Sequence, residues 1–321
     1  MSRRVLFYFS WSRPGETAGP LTVIDDRFPA IFELRRLFYP KFEPLADPDQ
    51  VDQGIGGFLD HVQKPNFAAF AADAEALTGH PMIQAERETD DGRVTLLDDA
   101  LIGDADTIVV ISFDSFRTHQ AAQDMEIAAI RRFLDHPGHV IFVCPHHDIG
   151  DGEPQDQAGE HSHHGDPAIP PRQGFGGFAR TLLAGLGVPV ENRFGLRPEA
   201  LPDGSPAPIE AERQLDALGL LDGVETFNLH AHLPQLERIG EAAGRMDVLA
   251  RQRIDLTAPP HPFTRGGRAT FDALLQSRTG VFSGRLLVSD TTLFSSTAGG
   301  VDNLRRLWRN LLTRQEESRH R

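Results

Sequence analysis

Two buried apolar runs on either side of an amphipathic segment are the feature that most constrains the fold. Residues 107–113 and 140–143 are short runs rich in β-branched residues, which are typical of strands covered on both faces of a sheet. Residues 124–134 repeat apolar side chains at helical spacing, and Pro137 follows them closely. A strand, a helix and a strand in this order predict parallel strands joined by right-handed crossovers.

The same reasoning along the rest of the chain predicts one α/β domain with a doubly wound, mostly parallel sheet. Further strands are predicted at residues 4–11, 81–86, 188–195, 224–233, 246–255 and 285–290, and helices at residues 66–78, 175–186 and 301–313. Residues 20–62, which prolines interrupt, predict an insertion or cap. Residues 150–174 have no periodicity and predict a long His-rich loop or lid, and residues 314–321 predict a disordered tail.

The acidic balance of the chain bears on its partners. Its 321 residues have a formal net charge of -14, which argues against nucleic acid because phosphate binding needs a basic face. No stretch approaches the roughly 18 apolar residues that cross a bilayer, so no membrane partner is expected. The single cysteine, Cys144, allows no internal disulfide. We therefore expect a cytoplasmic protein that acts on a small-molecule substrate, as a monomer or a homo-oligomer.

The clearest candidate site follows the strand predicted at residues 140–143. There the apolar run ends in Cys144, His146, His147 and Asp148, and ligands bind beyond the carboxyl ends of parallel strands. Imidazole and carboxylate together suit Zn, Fe, Ni or Mn, so the two histidines and the aspartate predict a metal site. The alternative is a solvated His-rich loop, because the spacing matches no metal signature. No nucleotide cofactor is expected.

Polar side chains that end other predicted strands form a second set of candidates. Asp290 and His230 are candidate proton carriers. The candidates for substrate binding are Ser10, Trp11, Asp114, His232 and Ser289. On a strand His230 and His232 would share one face, because side chains alternate. The structural alternatives are a polar solvent face for the two histidines and a turn or helix cap for Asp290.

Cys144 permits two interpretations. A neighbouring His146 or His147 would lower the pKa of the thiol and make it a nucleophile. A free cysteine at the end of an apolar strand is more often a small buried residue of the core.

The glycine-rich stretch at residues 174–178 precedes a predicted helix, as phosphate-binding loops do. Its spacing matches neither phosphate-binding motif, and it does not directly follow a strand. We therefore predict a hinge between loop and helix.

Several segments together resemble the class I glutamine amidotransferase-like superfamily. They are residues 105–112, 126–133, 142–148, 182–190, 284–294 and 303–308. The turn Pro145-His-His-Asp148 is most similar to bacterial members of the superfamily that lack the catalytic cysteine elbow. The resemblance implies a flavodoxin-like sheet, a fold that also hosts many proteins without amidotransferase activity.

At the position of the catalytic cysteine the chain departs from the amidotransferase pattern. Amidotransferases have Gly-x-Cys-x-Gly, whereas this chain has Phe142-Val-Cys-Pro-His146. The glycines permit a strained turn, and Pro145 removes a backbone N–H that an oxyanion hole would use. Glutaminase chemistry is therefore not expected. We predict a metal-assisted hydrolase or lyase, and the alternatives are an enzyme that uses Cys144 as nucleophile and a non-catalytic ligand-binding or assembly module.

Overall fold

An eight-stranded sheet forms the centre of the molecule. The computed structural model describes residues 3–17, 66–115, 118–146, 152–164, 174–230, 232–295 and 301–314, and the insertion or cap predicted at residues 20–62 lies outside them. The strands are β1 (Val5–Ser12), β2 (Ile83–Glu88), β3 (Thr107–Ser112), β4 (Val140–Pro145), β5 (Val190–Leu196), β6 (Glu210–Ala211), β7 (Leu233–Arg238), β8 (Met246–Arg253), β9 (Thr270–Ser277) and β10 (Arg285–Ser289). The helices are α1 (Arg13–Thr17), α2 (Ala68–Thr78), α3 (Asp99–Ile102), α4 (Asp124–Leu134), α5 (Pro154–His164), α6 (Gly177–Gly185), α7 (Ala242–Arg245) and α8 (Val301–Thr313). None of these described helices combines the length and the apolar character that a membrane span needs.

Parallel pairing joins five neighbouring strands of the large sheet. The strand order is β2-β1-β3-β4-β10-β9-β8-β6, and β2, β1, β3, β4 and β10 run parallel. Strands β9, β8 and β6 continue the sheet in antiparallel pairing, and β5 and β7 form a separate antiparallel pair. All five parallel strands end on one side of the sheet. We call that side the carboxyl edge.

Helices cover both faces of the parallel strands and bury two separate apolar clusters. On one face α2 packs against α8, where the rings of Phe70 and Trp308 have centroids 5.6 Å apart. On the other face α4 and α6 bury Phe133 and Phe178. Each fully buried large apolar side chain contributes about 1.5–3 kcal/mol to stability. Because both faces are covered, β1, β3, β4 and β10 are buried on both sides, and their apolar runs predicted them.

The clearest apolar patterns in the sequence correspond to strands and helices of the structure. Strands β1, β3, β4, β8 and β10 and helices α2, α4, α6 and α8 lie where apolar spacing predicted them. The mixed α/β class and the mostly parallel sheet are confirmed. Strand β9 belongs to the antiparallel extension, and no pattern predicted it.

The segment predicted as a His-rich loop contains α5, so that prediction is wrong for Pro154–His164. The ring of His163 docks the helix: Nδ1 donates to the carbonyl O of Pro259 at 2.7 Å, and Nε2 accepts the N–H of Arg197 at 3.1 Å. A side chain at Gly159 would lie 3.2 Å from the Pro262 ring. These contacts hold the helix against another part of the chain. Because they do not require apolar residues at helical spacing, the sequence of this segment shows no periodicity.

The strand predicted at residues 224–233 is wrong, and so is the prediction that His230 and His232 share one strand face. Residues 224–230 have no regular secondary structure, and β7 begins only at Leu233. The side chain of Asn228 accepts the N–H of His230 at 2.9 Å. This bond folds the backbone into a turn, which competes with strand pairing.

Two other predictions are corrected in part, one in its strand pairing and one in its first residue. The strand predicted at residues 188–195 is β5, but it pairs with β7 outside the large sheet. Arg314, the first residue of the predicted disordered tail, is 6% exposed. Its guanidinium donates to the carbonyl O of Gly138 at 2.9 Å and to Oγ1 of Thr107 at 3.0 Å. Residues 315–321 lie outside the described part of the chain.

Candidate functional site

His146, Asp290 and His230 come together at the carboxyl edge. His146 follows β4, Asp290 follows β10, and His230 lies in the irregular segment before β7. The Nδ1 atom of His146 lies 3.6 Å from Oδ2 of Asp290, and both side chains are buried. The ring centroids of His146 and His230 are 6.0 Å apart. We call these three residues the His–Asp cluster.

Asp290 is a charged carboxylate inside the protein. Its Oδ1 accepts the N–H of Thr292 at 2.8 Å and caps the short helical turn Thr291–Phe294. Burial favours a raised pKa, but the adjoining imidazoles of His146 and His230 outweigh burial, and the pKa of Asp290 is lowered. Its Oδ2 has no hydrogen bond within the described residues and faces His146. Asp290 is therefore ionised at neutral pH.

His230 is half-buried and uncharged at neutral pH. Its Nδ1 lies 3.0 Å from the carbonyl O and 3.2 Å from the backbone N of His232. Burial and the neighbouring His146 lower the pKa of His230, although Asp290 opposes this effect. A neutral imidazole is the state that accepts a proton or binds a metal ion.

Two aromatic rings pack against the His146 side chain, and two hydrogen bonds hold its backbone. The rings of Phe113 and Phe175 stack with centroids 4.9 Å apart, and they lie 4.7 and 5.4 Å from the His146 ring. The N–H of His146 donates to the carbonyl O of Ser112 at 3.1 Å, and its own carbonyl accepts the side chain of Asn192. In such apolar surroundings the attraction between an imidazole and a carboxylate is stronger than in water.

Cys144 belongs to the core. The residue is fully buried within one of the two apolar clusters, and its Sγ lies 3.4 Å from Oγ of Ser289. Burial raises the pKa of the thiol far above its usual range, so the nucleophilic thiolate is disfavoured at neutral pH. These surroundings favour the structural interpretation of Cys144 over the nucleophile.

Ser10, Ser112 and Asp114 form a separate network at the ends of β1 and β3. Oδ1 of Asp114 accepts the hydroxyls of Ser10 at 2.9 Å and Ser112 at 2.6 Å, and Oδ2 accepts the N–H of Phe178 at 2.9 Å. Oγ of Ser112 accepts the N–H of Ala179 at 3.0 Å. Two first-turn amides of α6 are therefore bound by protein groups, which argues against a phosphate cradle before this helix, and the hinge stays a prediction.

The remaining substrate-binding candidates also contact protein groups. Trp11 is 1% exposed and donates its Nε1–H to Oε2 of Glu86 at 2.8 Å. Ser289 is buried beside Cys144, and the His232 backbone contacts the His230 ring. A substrate contact by Ser10, Trp11, Asp114, His232 or Ser289 stays a prediction.

The predicted metal ligands are described only in part. His147 and Asp148 lie outside the described residues. Within the described ranges, no three His, Cys, Asp or Glu side chains are placed to hold one ion together. His146 has a carboxylate beside one ring nitrogen, which is the usual support of a metal-binding histidine. It is therefore the one member of the predicted ligand set whose surroundings are known.

Three polar residues outside the predicted set of site residues support the His–Asp cluster. Thr291 Oγ1 lies 3.3 Å from Nδ1 of His146, and Nδ2 of Asn228 donates to Oγ1 of Thr292 at 2.9 Å. One signal was available: Asn228 precedes His230 by two residues, the spacing at which an asparagine side chain forms a turn.

Comparison with known proteins assigns no family to this geometry. The sequence matches no protein-family model, and a search of curated proteins finds no match. The function is therefore argued from the His–Asp cluster itself.

Proposed function

We propose that the chain is a small-molecule enzyme, a metal-assisted hydrolase or lyase, that acts at the carboxyl edge beside the His–Asp cluster. One observation carries the proposal: a buried histidine, His146, faces a buried carboxylate, Asp290, across 3.6 Å. A carboxylate beside one ring nitrogen fixes the tautomer and orientation of an imidazole, both in acid–base catalysis and in metal binding. Because Nδ1 faces Asp290, the other ring nitrogen of His146 is directed away from this carboxylate.

Asp290 and His230 would have different roles in proton transfer. Asp290, whose pKa is lowered, stays charged and orients His146. His230, whose pKa is also lowered, is neutral at neutral pH and can accept a proton from a substrate or a water molecule. Of the two proton carriers that the sequence predicts, we therefore favour His230.

His146, His147 and Asp148 would hold a divalent transition metal such as Zn, Fe, Ni or Mn. Two imidazoles and a carboxylate are donors that suit these ions. When bound, the ion would supply a water molecule of lowered pKa. Asp290 would keep His146 in the orientation that the ion requires, and Phe113 with Phe175 would keep water from one side of the ring.

Elemental analysis and zinc titration of the purified chain test this proposal. We expect about one equivalent of metal per chain, and a loss of zinc affinity of about 10- to 100-fold in Asp290→Asn, because the support of a metal-binding histidine is removed. Asp203→Asn is the matched control, because Asp203 is an exposed carboxylate that accepts the Ser205 hydroxyl at 2.6 Å. Absence of stoichiometric metal, with unchanged zinc binding in His147→Ala, would contradict the proposal.

We also propose that β1 to β4 and β10 form a flavodoxin-like, doubly wound unit related to the class I glutamine amidotransferase-like proteins. The order β2-β1-β3-β4-β10 is the flavodoxin-like order, and helices cover both faces. The burial of Cys144 supports a member whose chemistry does not use this thiol. A single buried thiol is also compatible with the cytoplasmic location that the sequence predicts. An experimental structure with another strand order would contradict the relationship.

A non-catalytic ligand-binding or assembly module is the second candidate, and the small space beside Asp290 favours its assembly form. The cavity lined by Asn228, Gln252, Asp290 and Thr292 measures about 10 Å³, which admits at most one water molecule. Small-molecule sites usually enclose several hundred Å³. Incubation with small molecules found by thermal shift separates the two candidates. A module leaves every one of them unchanged, whereas an enzyme converts one and loses this conversion in His230→Gln.

A further inference from the structure

Asn228 links the segment that carries His230 to the turn that carries Asp290. Its side chain is 1% exposed, and both its oxygen and its nitrogen form hydrogen bonds. Oδ1 accepts the N–H of His230 at 2.9 Å, and Nδ2 donates to Oγ1 of Thr292 at 2.9 Å. The N–H of Thr292 in turn donates to Oδ1 of Asp290 at 2.8 Å. One asparagine therefore joins two parts of the His–Asp cluster through a continuous path of hydrogen bonds.

Residues 224–230 form no strand, so individual hydrogen bonds hold the segment around His230 in position. The carbonyl O of Asn228 accepts the Nε2–H of Gln252 at 3.1 Å, which ties the segment to β8. The cavity of about 10 Å³ beside Asn228 and Asp290 leaves little room for either residue to shift. The bond to β8 therefore fixes the backbone of Asn228, and the Asn228 side chain in turn holds the backbone of His230.

We propose that Asn228 is a positioning residue that holds the His230 ring beside His146 and Asp290. The inference rests on the proposed function, since positioning matters for catalysis only if His230 takes part in the chemistry. An amide suits this task because one side chain supplies an acceptor for a backbone N–H and a donor for a hydroxyl, and it adds no charge. In an active site, a displacement of about 1 Å lowers the rate about 100-fold.

Magnetic resonance of the metal-free, full-length chain tests the positioning directly. Ring signals are assigned from their loss in His146→Gln and His230→Gln. Asn228→Ala removes the acceptor of the His230 N–H, and we expect loss of the nuclear Overhauser cross-peak between the two rings. Asn228→Ser keeps an acceptor at the same turn position and adds no charge, so the cross-peak is expected to persist in part. Persistence of the full cross-peak in Asn228→Ala, or a loss in Asn228→Ser as complete as in Asn228→Ala, would overturn the proposal.

Asn310→Ala is the matched control, because Asn310 on α8 also donates from a part-buried amide, to the carbonyls of Leu220 and Asp222 at 2.9 Å each. The cross-peak is expected to be unchanged in this variant. Its loss there would overturn the proposal, because general loosening would then explain the result. If Asn228→Ala does not fold, Thr292→Val removes the hydroxyl that accepts from Asn228. We expect a weakened cross-peak in that variant, and an unchanged one would count against the inference.

The experiment separates this inference from the proposed function, because the cross-peak needs neither metal nor substrate. A chain that binds no metal but loses the cross-peak in Asn228→Ala would contradict the proposed function alone. A chain that binds one equivalent of metal and keeps the cross-peak in Asn228→Ala would contradict the positioning role alone.

Discussion

Asp114 and Asp290 occupy equivalent places in the sheet but use their carboxylates differently. Each follows a parallel strand at the carboxyl edge, and the two side chains are buried, at 0% and 4% exposure. Both oxygens of Asp114 accept hydrogen bonds from protein groups, whereas Oδ2 of Asp290 accepts none within the described chain and faces His146. A carboxylate that is fully hydrogen-bonded holds structure, and one that faces an imidazole can support chemistry.

The pKa values of the two carboxyls move in opposite directions. Burial raises the pKa of Asp114, although the hydrogen bonds from Ser112, Phe178 and Ser10 oppose this. At Asp290 burial is outweighed by the neighbouring imidazoles, and the pKa is lowered. Depth in the protein is nearly the same at both sites. The groups beside each carboxylate therefore decide its charge and its role.

The largest expected effect concerns the stability of the two alanine variants. Asp114→Ala leaves the buried N–H of Phe178 and two hydroxyls without their acceptor, and we expect the free energy of unfolding to fall by about 3 kcal/mol. Asp290→Ala removes a cap from a short turn and should cost about 1 kcal/mol. Urea unfolding measures both losses. Equal losses would show that the two carboxylates do not differ in structural role.

Asparagine variants at the same positions are expected to change the pH dependence of stability in opposite directions. The folded pKa of Asp290 is lowered, so its contribution is present above an unfolded pKa of about 3.9 and is lost as the pH falls through the folded pKa. The folded pKa of Asp114 is raised, so its contribution is greatest below about 3.9 and is lost as the pH rises.

Urea unfolding across the acidic range checks these signs. The stability difference between wild type and Asp290→Asn should grow with pH, and the difference between wild type and Asp114→Asn should shrink. Either slope is at most about 1.4 kcal/mol per pH unit for one group. Parallel profiles for the two variants would show that their carboxyls titrate alike.

A pair of serine variants sharpens the comparison at a smaller scale. Oγ of Ser112 contacts Asp114 at 2.6 Å and the N–H of Ala179 at 3.0 Å, so Ser112→Ala should cost about 1–2 kcal/mol. Oγ of Ser289 makes only longer contacts, at 3.3 and 3.4 Å, and Ser289→Ala should cost less than about 0.5 kcal/mol. Thermal unfolding ranks the two variants, and the reverse ranking would contradict the assignment of structural weight to the Asp114 network.

The smallest expected effect is the absence of a reaction at Cys144. The thiol is fully buried, and burial raises its pKa, so iodoacetamide should not modify the folded chain. Mass spectrometry gives an unambiguous reading because the chain has one cysteine, and the urea-unfolded chain is the positive control. Rapid modification of the folded chain would restore the cysteine-nucleophile hypothesis.

The sequence predicts those parts of the molecule whose residues repeat with a period. Strands β3 and β4 and helix α4 bury regular apolar faces, so their positions follow from spacing alone. His146 and Asp290 were predicted because they end apolar runs. The contrast between Asp114 and Asp290 was not predictable, because it depends on partners that are distant in sequence, such as the amide of Phe178 and the ring of His146.

Helix α5 and the turn at Asn228 were missed for a related reason. The helix is held by hydrogen bonds from His163 to residues far along the chain, and the turn is made by one side chain within an alternating stretch. Neither feature repeats along the sequence. Tertiary contacts of this kind override local pattern, and a single sequence carries little trace of them.

The docking of α5 makes the molecule sensitive to acid. The ring of His163 lies against that of His261, with centroids 5.1 Å apart, and Nδ1 of His261 accepts the N–H of Phe263. Burial, with the nearby His163 and Arg265, lowers the pKa of His261 to about 3. The unfolded imidazole binds a proton below about pH 6.5 while the folded one does not, so each further pH unit favours unfolding by up to about 1.4 kcal/mol. Acid is therefore expected to weaken the contacts around His261 that help to dock α5.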